Sequence, residues 1–368
     1  MPKIRLRVTG ETHDFVDWTS VAVTRSLDAL ADSFQLNIST GFRNGQPSMQ
    51  IEEQDECQIL LDDEVVLSGY VDTVDRKYDA TSSTLSVTGR SRAGDLCDCT
   101  AIHKPWKNTP GLTIASDLCK PFGIAVSSDV GPLPDERYFK LGKSDTVFDV
   151  LDRLAREAGL RVVSDPDGSI RFTKTGITRY PDVLIATGYN VITGSMRRSA
   201  EERYSNYVFK TQIPSTDDFS GDAAASVKFS VVDDGVLRYR PLVVHVDGRP
   251  RNTKGQFVAG VEVHHPLEPQ ARWELHTRAG KARELVYEIG DPADMEASWR
   301  HKHGIWEPNV IVAVRDSEFG IDMELLVKEV VLTLDDRGTR SLATLCHPAA
   351  YEPKLPKPGK KKKGGFKF

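Results

Sequence analysis

Alternation of apolar and polar positions dominates the first quarter of the chain. KIRLRV, SVAVTRSL and SFQLNIS alternate with period two, and CQILLD, EVVLSGYVDTVDRKYD and TLSVTGRS follow after turn-forming residues. Period-two alternation is typical of half-buried strands. Six short strands in this length predict a small barrel or sandwich. The run around Gly69 is long for one strand, so we expect Gly69 to mark a bulge or bend.

The pattern changes to helical spacing after the sixth strand. TPGLTIASDLCKPFG predicts a helix with Thr109 as its N-cap and Gly123 at its end. SDTVFDVLDRLAREAGL predicts a second helix with one apolar stripe and Gly159 as its C-cap. RVVSDPDGSIRFTKTG then predicts a hairpin that turns at DPDG. We therefore expect a compact α+β unit over residues 99–176.

Strand patterns return in the remainder of the chain. DVLIA, VITGSMRRSA, YSNYVFKTQIP, ASVKFSVVDD and PLVVHVD predict strands between about 180 and 250. A third helix is predicted over 266–282, followed by a strand in RELVYEIG. Three closing strands run from NVIVAVRD to LATLCHP, and the last hairpin turns at DDRG. Residues 351–368 form a basic tail with little to bury.

Composition bounds the class of protein. The 368 residues are too many for one ordinary core, so two to four domains are expected. Hydrophobic residues make up 39% and charged residues 27%, which is typical of a globular protein. The net charge of -5 argues against a general nucleic-acid binder. No apolar run is long enough for a membrane span, and the N-terminus has no apolar core of a secretion signal.

A candidate metal site lies in WRHKHGIWEPN, residues 299–309. His301 and His303 are one residue apart, so on a strand both imidazoles would point to the same side. A zinc site also needs a third ligand, and no H-E-x-x-H motif occurs. The glycine and proline in this stretch favour a turn that carries ordinary histidines, with Trp306 anchoring it by its buried indole. We expect no metal and no cofactor.

Other constellations are better explained by structure than by chemistry. The adjacent acidic pairs at 62–63, 217–218, 233–234 and 335–336 lie at strand ends and loops, where turn formation explains them. No G-x-S-x-G, P-loop or G-x-G-x-x-G motif occurs. Five cysteines without a framework spacing predict reduced thiols, and Cys97-x-Cys99 is expected to be buried rather than metal-bound. We expect no enzymatic activity.

Three stretches resemble the baseplate hub proteins of contractile-tailed phages of the Mu-like kind, which are related to the T4 hub and to secretion-system spike hub modules. The first is GETHDFVDWTSVAVTRSLDALADSFQLNIS. The second runs from SGYVDTVDRKYDATSS through PGLTIASDLCKPFGIAV. The third runs from ARWELHTRAGKARELVYEIGD to SLATLCHPAAY. Their order along the chain makes the resemblance more specific than any single motif.

The resemblance implies an α+β, mostly β fold, with two small tail-tube-type β-barrels plus smaller α+β domains. The first barrel would be 1–98, the α+β domain 99–176, and the second barrel 177–240 with 305–350. An α+β segment would be inserted at 241–304, before the basic tail at 351–368. Structural anchor candidates are Trp18, Gly69, Trp106, Trp306 and Pro308. Partner-contact candidates in the tail are Lys360, Lys361, Lys362, Lys363, Phe366 and Phe368.

The resemblance also implies a role. Such hubs form a homotrimer whose six barrels make a pseudo-hexameric ring that joins the tail tube to the central spike. Expected partners are the chain itself, the central spike protein, tail tube or tube-adaptor proteins, baseplate wedge proteins and the tape-measure protein. DNA would pass the acidic channel without specific binding, since bound phosphates would slow its passage. The expected location is the virion tail baseplate, assembled in the host cytoplasm, with no membrane insertion.

Three alternatives remain open at this stage. A tail-associated cell-wall hydrolase would need a catalytic cleft. A secretion-system spike-like module would usually continue into a long repetitive β-helix, whereas this chain ends in a lysine-rich tail. A carbohydrate-binding β-protein would need clustered exposed aromatic residues, and the five tryptophans are scattered.

Overall fold

A computed structural model describes residues 4–11, 14–41, 51–79, 82–211, 227–246, 267–290 and 298–352. The candidate tail contacts Lys360 to Lys363, Phe366 and Phe368 lie outside the described residues. The helices are α1 (Ala93–Asp98), α2 (Gly111–Cys119), α3 (Val147–Ala158) and α4 (Leu267–Lys281). The strands of the first half are β1 (Ile4–Val8), β2 (Ser20–Ser26), β3 (Ser33–Gly41), β4 (Glu56–Leu61), β5 (Glu64–Tyr78), β6 (Ser82–Ser91), β7 (Trp106–Pro110), β8 (Val126–Ser128), β9 (Asp135–Phe139), β10 (Arg161–Ser164) and β11 (Ile170–Thr173). Those of the second half are β12 (Thr178–Ala186), β13 (Val191–Arg198), β14 (Asn206–Thr211), β15 (Val227–Val232), β16 (Pro241–Val246), β17 (Arg283–Ile289), β18 (Arg300–His301), β19 (Gly304–Ile305), β20 (Val310–Asp316), β21 (Ile321–Asp335) and β22 (Gly338–Cys346).

The chain forms two compact units, one of Met1–Met196 with Glu284–Pro348 and one of Arg197–Arg283 with Ala349–Phe368. The first unit contains a twelve-stranded sheet. Its path runs β1-β4-β5-β6-β3-β2-β21-β22-β17-β13, with β20 paired to β21 and β12 paired to β20. The fold is therefore mostly β with a few small helices, as the sequence predicts.

We call β1 to β6 the N-terminal module, and β12, β13, β17, β20, β21 and β22 the C-terminal module. Their alternating strands bury one apolar face each, as in β2, where every second residue is buried. The two faces contribute to one hydrophobic cluster that includes Leu6, Leu36, Tyr287 and Val312. The core thus continues from one module into the other.

Residues 93–174 form the α+β part of the first unit and, together with Leu30, make a second hydrophobic cluster. Helix α3 begins at a reciprocal cap: Thr146 accepts from the Asp149 amide, and the Asp149 carboxylate accepts from the Thr146 amide. It ends at Gly159, which is left-handed with φ 70°. The predicted helix and its C-cap are confirmed, and the predicted hairpin is β10–β11.

The second unit holds the sheet β15-β14-β16, on which α4 lies. Tyr207 and Phe209 of β14 pack against Ala271 of the helix. The Tyr207 hydroxyl accepts a hydrogen bond from the Tyr204 amide at 3.2 Å. The predicted third helix is confirmed, with bounds within two residues of those expected.

Some sequence expectations differ from the structure. The second barrel was expected to contain 177–240 and to exclude 241–304. Instead β14 to β16 form a separate sheet, and β17 lies in the main sheet. Thr109 does not cap α2, because residues 106–110 form strand β7 and Pro110 occupies the N-cap position. Strand spacing alone cannot distinguish which sheet a strand joins, because alternation shows only that one face is buried.

Candidate assembly interface

Strand β2 of the N-terminal module pairs with β21 of the C-terminal module. The pairing is antiparallel and runs from Val21 opposite Leu334 to Ser26 opposite Glu329. Val23 of β2 is fully buried, and so is Leu332, which lies directly opposite. The joint therefore combines a backbone ladder with a dry apolar face. We call this pairing the β2–β21 joint.

Charged side chains lie at the end of the joint where β2 finishes. Arg25, the next-to-last residue of β2, donates to the Asp32 carboxylate at 3.2 Å, and both side chains are about 6% exposed. Burial raises the pKa of Asp32 to about 6, although the Arg25 guanidinium acts in the opposite direction. On β21, the Lys328 ammonium binds Glu284 at 2.6 Å, and the Lys328 carbonyl accepts from the Leu27 amide at 2.8 Å.

The two modules have the same strand order. Numbered from 1 to 6 in chain order within each module, both run 1-4-5-6-3-2 across the sheet. In each, the fifth strand is the longest, with 15 residues. They differ at one edge, since β1 pairs antiparallel with β4 whereas β12 pairs parallel with β20. The repetition of the other connections indicates one architecture used twice.

The hairpins β5–β6 and β21–β22 also share their register. Tyr78 lies opposite Ser83 and Val71 opposite Gly89 in the first hairpin. Leu334 lies opposite Thr339 and Val327 opposite Leu345 in the second, at the same spacing. Each long strand has its irregularity at the matching point, between Val71 and Thr73 in β5 and between Val327 and Glu329 in β21. A bulge lets a long strand bend and re-aim its second half.

Two edges in the modules differ in what they pair with. In β21, the N-terminal half pairs with β20 and the C-terminal half pairs with β2. In β5, strand pairing with β4 ends at Tyr70, and Val71 exchanges hydrogen bonds with residues 54 and 55. Over the described residues, no strand pairs with Thr73–Tyr78 on the side away from β6. β13 likewise ends the described path of the sheet.

The two histidines of the candidate metal site lie on the hairpin β18–β19. His303 Nε2 lies 2.8 Å from the Asp182 carboxylate, which also binds the Lys302 ammonium. The His303 ring stacks on Tyr180 with centroids 4.5 Å apart. His301 points inward, and burial lowers its pKa to about 4. The two imidazoles therefore have different surroundings and different partners.

The His301 side chain contacts residues of the same turn. The His301 ring packs edge-on against Trp306, with centroids 4.8 Å apart. Its Nδ1 accepts from the His303 amide at 3.1 Å, which is a hydrogen bond within the turn. No group of three or more histidine, cysteine or acidic side chains suited to a metal occurs within the described ranges. The structure places these residues in a packed turn.

Trp306 and Pro308 follow this turn. The Trp306 side chain is 2% exposed, and its amide donates to the Trp299 carbonyl at 3.0 Å. No acceptor in the described part of the chain lies within hydrogen-bonding distance of Trp306 Nε1. Pro308 is partly buried. Anchoring by either residue remains a prediction, although the burial of Trp306 supports it.

Asn309 holds two distant segments of the chain together by side-chain hydrogen bonds that the sequence did not predict. Its backbone is left-handed with φ 69°, and β20 begins one residue later, at Val310. The side chain accepts from the Gly176 amide at 2.8 Å and donates to the Lys174 carbonyl at 3.0 Å. Asparagine tolerates this conformation better than most residues. An asparagine directly after Glu-Pro was therefore the signal in the sequence for a left-handed residue at this point.

The remaining anchor candidates lie at separate places. Trp18 is 7% exposed and donates to the Phe15 carbonyl at 3.2 Å. Trp106 is 5% exposed, and its indole donates to the Asp117 carboxylate at 2.9 Å. Gly69 pairs regularly with Ser91, and the bulge of β5 against β6 lies further along, between Val71 and Thr73. A Cβ at Gly69 would lie 1.9 Å from the Arg90 carbonyl oxygen. Glycine is needed because the neighbouring backbone of β6 passes so close.

The acidic pairs and cysteines have structural settings. Asp233 is bound by Arg203 at 2.6 Å, and Asp335 accepts from the Arg337 amide at the predicted hairpin turn. The pair at 217–218 lies outside the described residues. All five cysteines are free. The expectation that the C-x-C thiols are buried is wrong for Cys99, which is exposed because it lies just beyond the end of α1, and Cys97 is only partly buried.

Neither exposed edge was identified from the sequence. One signal was present in β5, whose first half is apolar whereas its second half, DTVDRKY, is mostly polar and charged. Charged edge residues are a known means of limiting uncontrolled strand pairing. The other signal was the sparse apolar content of VITGSMRR in β13.

Comparison with family models finds three matches along the chain. Residues 3–91 match the N-terminal domain of the Mu phage baseplate assembly protein GpP-like family. Residues 93–174 match the second domain of the gp44-like baseplate hub proteins. Residues 267–354 match the fourth domain of the Mu phage baseplate assembly protein GpP. The first match coincides with the N-terminal module, and the third contains α4 and most of the C-terminal module.

Relatives match over nearly the whole chain. The baseplate hub protein gp44 of Escherichia phage Mu is 28% identical over 98% of this chain and 92% of its own. The crystal structure of a 43 kDa tail protein of prophage MuSo2 from Shewanella oneidensis has a TM-score of 0.77 at 27% identity, covering 95% of this chain and 99% of that one. A tail protein from Neisseria meningitidis MC58 has the same fold, with a TM-score of 0.73 at 21% identity, covering 96% and 98%.

Proposed function

The chain belongs to the Mu-like family of phage baseplate hub proteins, and we propose that three copies of it form a ring of six modules around the tail axis. Each copy would contribute its N-terminal and its C-terminal module. The ring would join the tail tube on one side to the central spike on the other. Its opening would let DNA pass during ejection.

One observation carries this proposal: two modules of equal strand order are fused edge to edge in one chain. A sheet that joins two copies of a module through an edge strand can repeat that contact around an axis. Six modules from three chains would match a tube of sixfold symmetry while presenting threefold symmetry to a spike. This arrangement explains why one chain carries the module twice.

The surroundings of the ring follow from the same role. We infer contacts with the central spike, with tube or tube-adaptor proteins, with wedge proteins and with the tape-measure protein. A structural neighbour from E. coli, a type VI secretion component described as similar to the T4 tail proteins gp27 and gp5, has the same fold at 9% identity with a TM-score of 0.54, covering 96% of this chain and 80% of that one. From the family's role rather than from this likeness of fold, we also infer a spike-bearing place in the virion baseplate and assembly in the host cytoplasm.

DNA would pass without specific binding. The chain has 53 acidic and 48 basic residues, so its net charge opposes stable capture of phosphates. No helix in the described part of the chain could cross a membrane by its length and hydropathy. The proposed role is structural and not enzymatic.

Native mass spectrometry and negative-stain imaging of the purified full chain test the ring. We expect a trimer that appears as a ring, alone or after addition of the spike protein. A chain that stays monomeric with its tail partners present would contradict the proposal. A peptidoglycan zymogram separates the rival role: a cleared band that persists in independently purified samples would support a tail-associated hydrolase instead.

A further inference from the structure

We propose that β13 of one copy pairs antiparallel with residues Thr73–Tyr78 of β5 in the next copy, and so repeats the β2–β21 joint between chains. This inference rests on the proposed ring and names the strands that close it. We call Thr73–Tyr78 the acceptor edge and β13 the donor strand. The argument depends on the equivalence of the two modules.

The acceptor edge matches the half of β21 that β2 already covers. The shared hairpin register makes Val74 equivalent to Val330, and Tyr78 equivalent to Leu334. Val330 is fully buried in the joint, and Leu334 is partly buried. Val74 is only partly buried, and Tyr78 is 82% exposed. A strand placed on this edge as β2 is placed on β21 would cover both side chains.

The donor strand occupies the position in the C-terminal module that β2 has in the N-terminal module. Both are the second strand of their module and pair with the third. β2 uses its other edge for the joint, and Val21 and Val23 are buried there. In β13, Ile192 is 46% exposed and Met196 partly buried, with Thr193 and Ser195 exposed between them. The alternation leaves one side suited to a core and the other to solvent.

Charge favours this orientation. In the β2–β21 joint, the C-terminal end of β2 lies opposite Glu329, whose equivalent in β5 is Thr73. The same arrangement would bring the C-terminal end of β13, Arg197 and Arg198, to the end of the acceptor edge that carries Asp75. Opposite charges would meet at this end of the contact.

The contact is heterologous, since each copy has one donor strand and one acceptor edge. Such contacts produce closed rings when the rotation between neighbours divides a full turn, and open filaments otherwise. Joints within chains and joints between chains would alternate around the ring. A closed ring covers both β13 and the acceptor edge, which removes the aggregation hazard of these two free edges.

Disulfide trapping in the full-length chain tests the pairing. The background variant is Cys99→Ser, because Cys99 is the exposed thiol among the five. Ser195→Cys is combined with Lys77→Cys or, for the neighbouring register, with Asp75→Cys, all on the solvent-facing side of their strands. We expect oxidation to give covalent dimers and trimers on a denaturing gel in at least one of these two variants.

The matched control is Ser195→Cys with Thr84→Cys. Thr84 is exposed and lies opposite Lys77 on β6, one strand further from the proposed contact. The extra strand adds about 4.8 Å, so a disulfide should not form across it. Cross-linking of the control at the same rate would contradict the pairing, because it would indicate random collisions.

Charge reversal provides a second readout. Arg197→Glu with Arg198→Glu should weaken assembly roughly threefold to tenfold, and adding Asp75→Lys should restore part of the loss. Native mass spectrometry of the cysteine variants separates the two proposals. Trimers that form without any cross-link would overturn the strand pairing and leave the ring standing, whereas the absence of trimers in every variant and in the parent chain would overturn the ring itself.

Discussion

Two buried tryptophans give a sharp test of how the hairpin β18–β19 is held. Trp299 is 1% exposed and Trp306 is 2% exposed, so their apolar burial is nearly equal. They differ in one respect. Trp299 Nε1 donates to the Thr333 carbonyl at 2.8 Å, whereas Trp306 Nε1 has no acceptor among the described residues. Substitution at the two positions therefore isolates the hydrogen bond from the packing.

The expected magnitudes follow from that difference. Trp306→Ala should lower the free energy of unfolding by about 3–5 kcal/mol, the usual cost of removing a buried aromatic ring. Phenylalanine keeps a ring at each site but has no donor. Trp299→Phe should then cost about 0.5–1.5 kcal/mol more than Trp306→Phe, because it removes the hydrogen bond to the Thr333 carbonyl. At Trp306 the same change removes a donor that is already without a partner.

Urea unfolding followed by circular dichroism measures these values at a chain concentration below that of assembly. The denaturant dependence must stay the same among variants for the midpoints to be compared. If Trp306→Phe is as costly as Trp299→Phe, the hydrogen bond to Thr333 does not contribute as described. If Trp306→Ala costs less than about 1 kcal/mol, well below the usual range, the anchoring role of Trp306 is wrong.

Three further predictions concern other parts of the first unit. His303→Ala should change stability by no more than about 1 kcal/mol, since an exposed ion pair contributes little, and EDTA should leave the melting temperature unchanged; a chelator-induced drop would support a metal site. Gly69→Ala should destabilise the chain by about 1–3 kcal/mol or more, because the Cβ of the alanine would overlap the β6 backbone. The control Gly94→Ala in α1 should be neutral or stabilising in the same thermal melts. Burial favours the neutral imidazole of His301, whose pKa is lowered from 6.5 to about 4 in the folded chain. The free energy of unfolding that this difference contributes is fully present above pH 6.5. It is lost as the pH falls from 6.5 towards 4, because in this window the unfolded chain binds a proton that the folded chain does not. His301→Gln should flatten the dependence of melting temperature on pH in that window, and an unchanged slope would contradict the low pKa.

Local signals in the sequence determined many of the elements. The six strands of the N-terminal module follow from alternation, and α3 follows from its apolar stripe and Gly159. The closing hairpin follows from its turn residues, with Asp335 opposite Gly338. These features depend on residues close together in the chain, so a local pattern is sufficient to predict them.

Only the tertiary structure shows which strands pair with one another and which sheet each strand joins. Nothing in the alternation of β17 distinguishes it from β14, yet β17 lies in the main sheet and β14 lies in another. The β2–β21 joint links strands almost the whole chain apart. Strand pairing depends on which edges and faces meet across such distances, and alternation reports only that one face is buried. The repeated strand order, and with it the proposed ring contact, is therefore visible only in the folded chain.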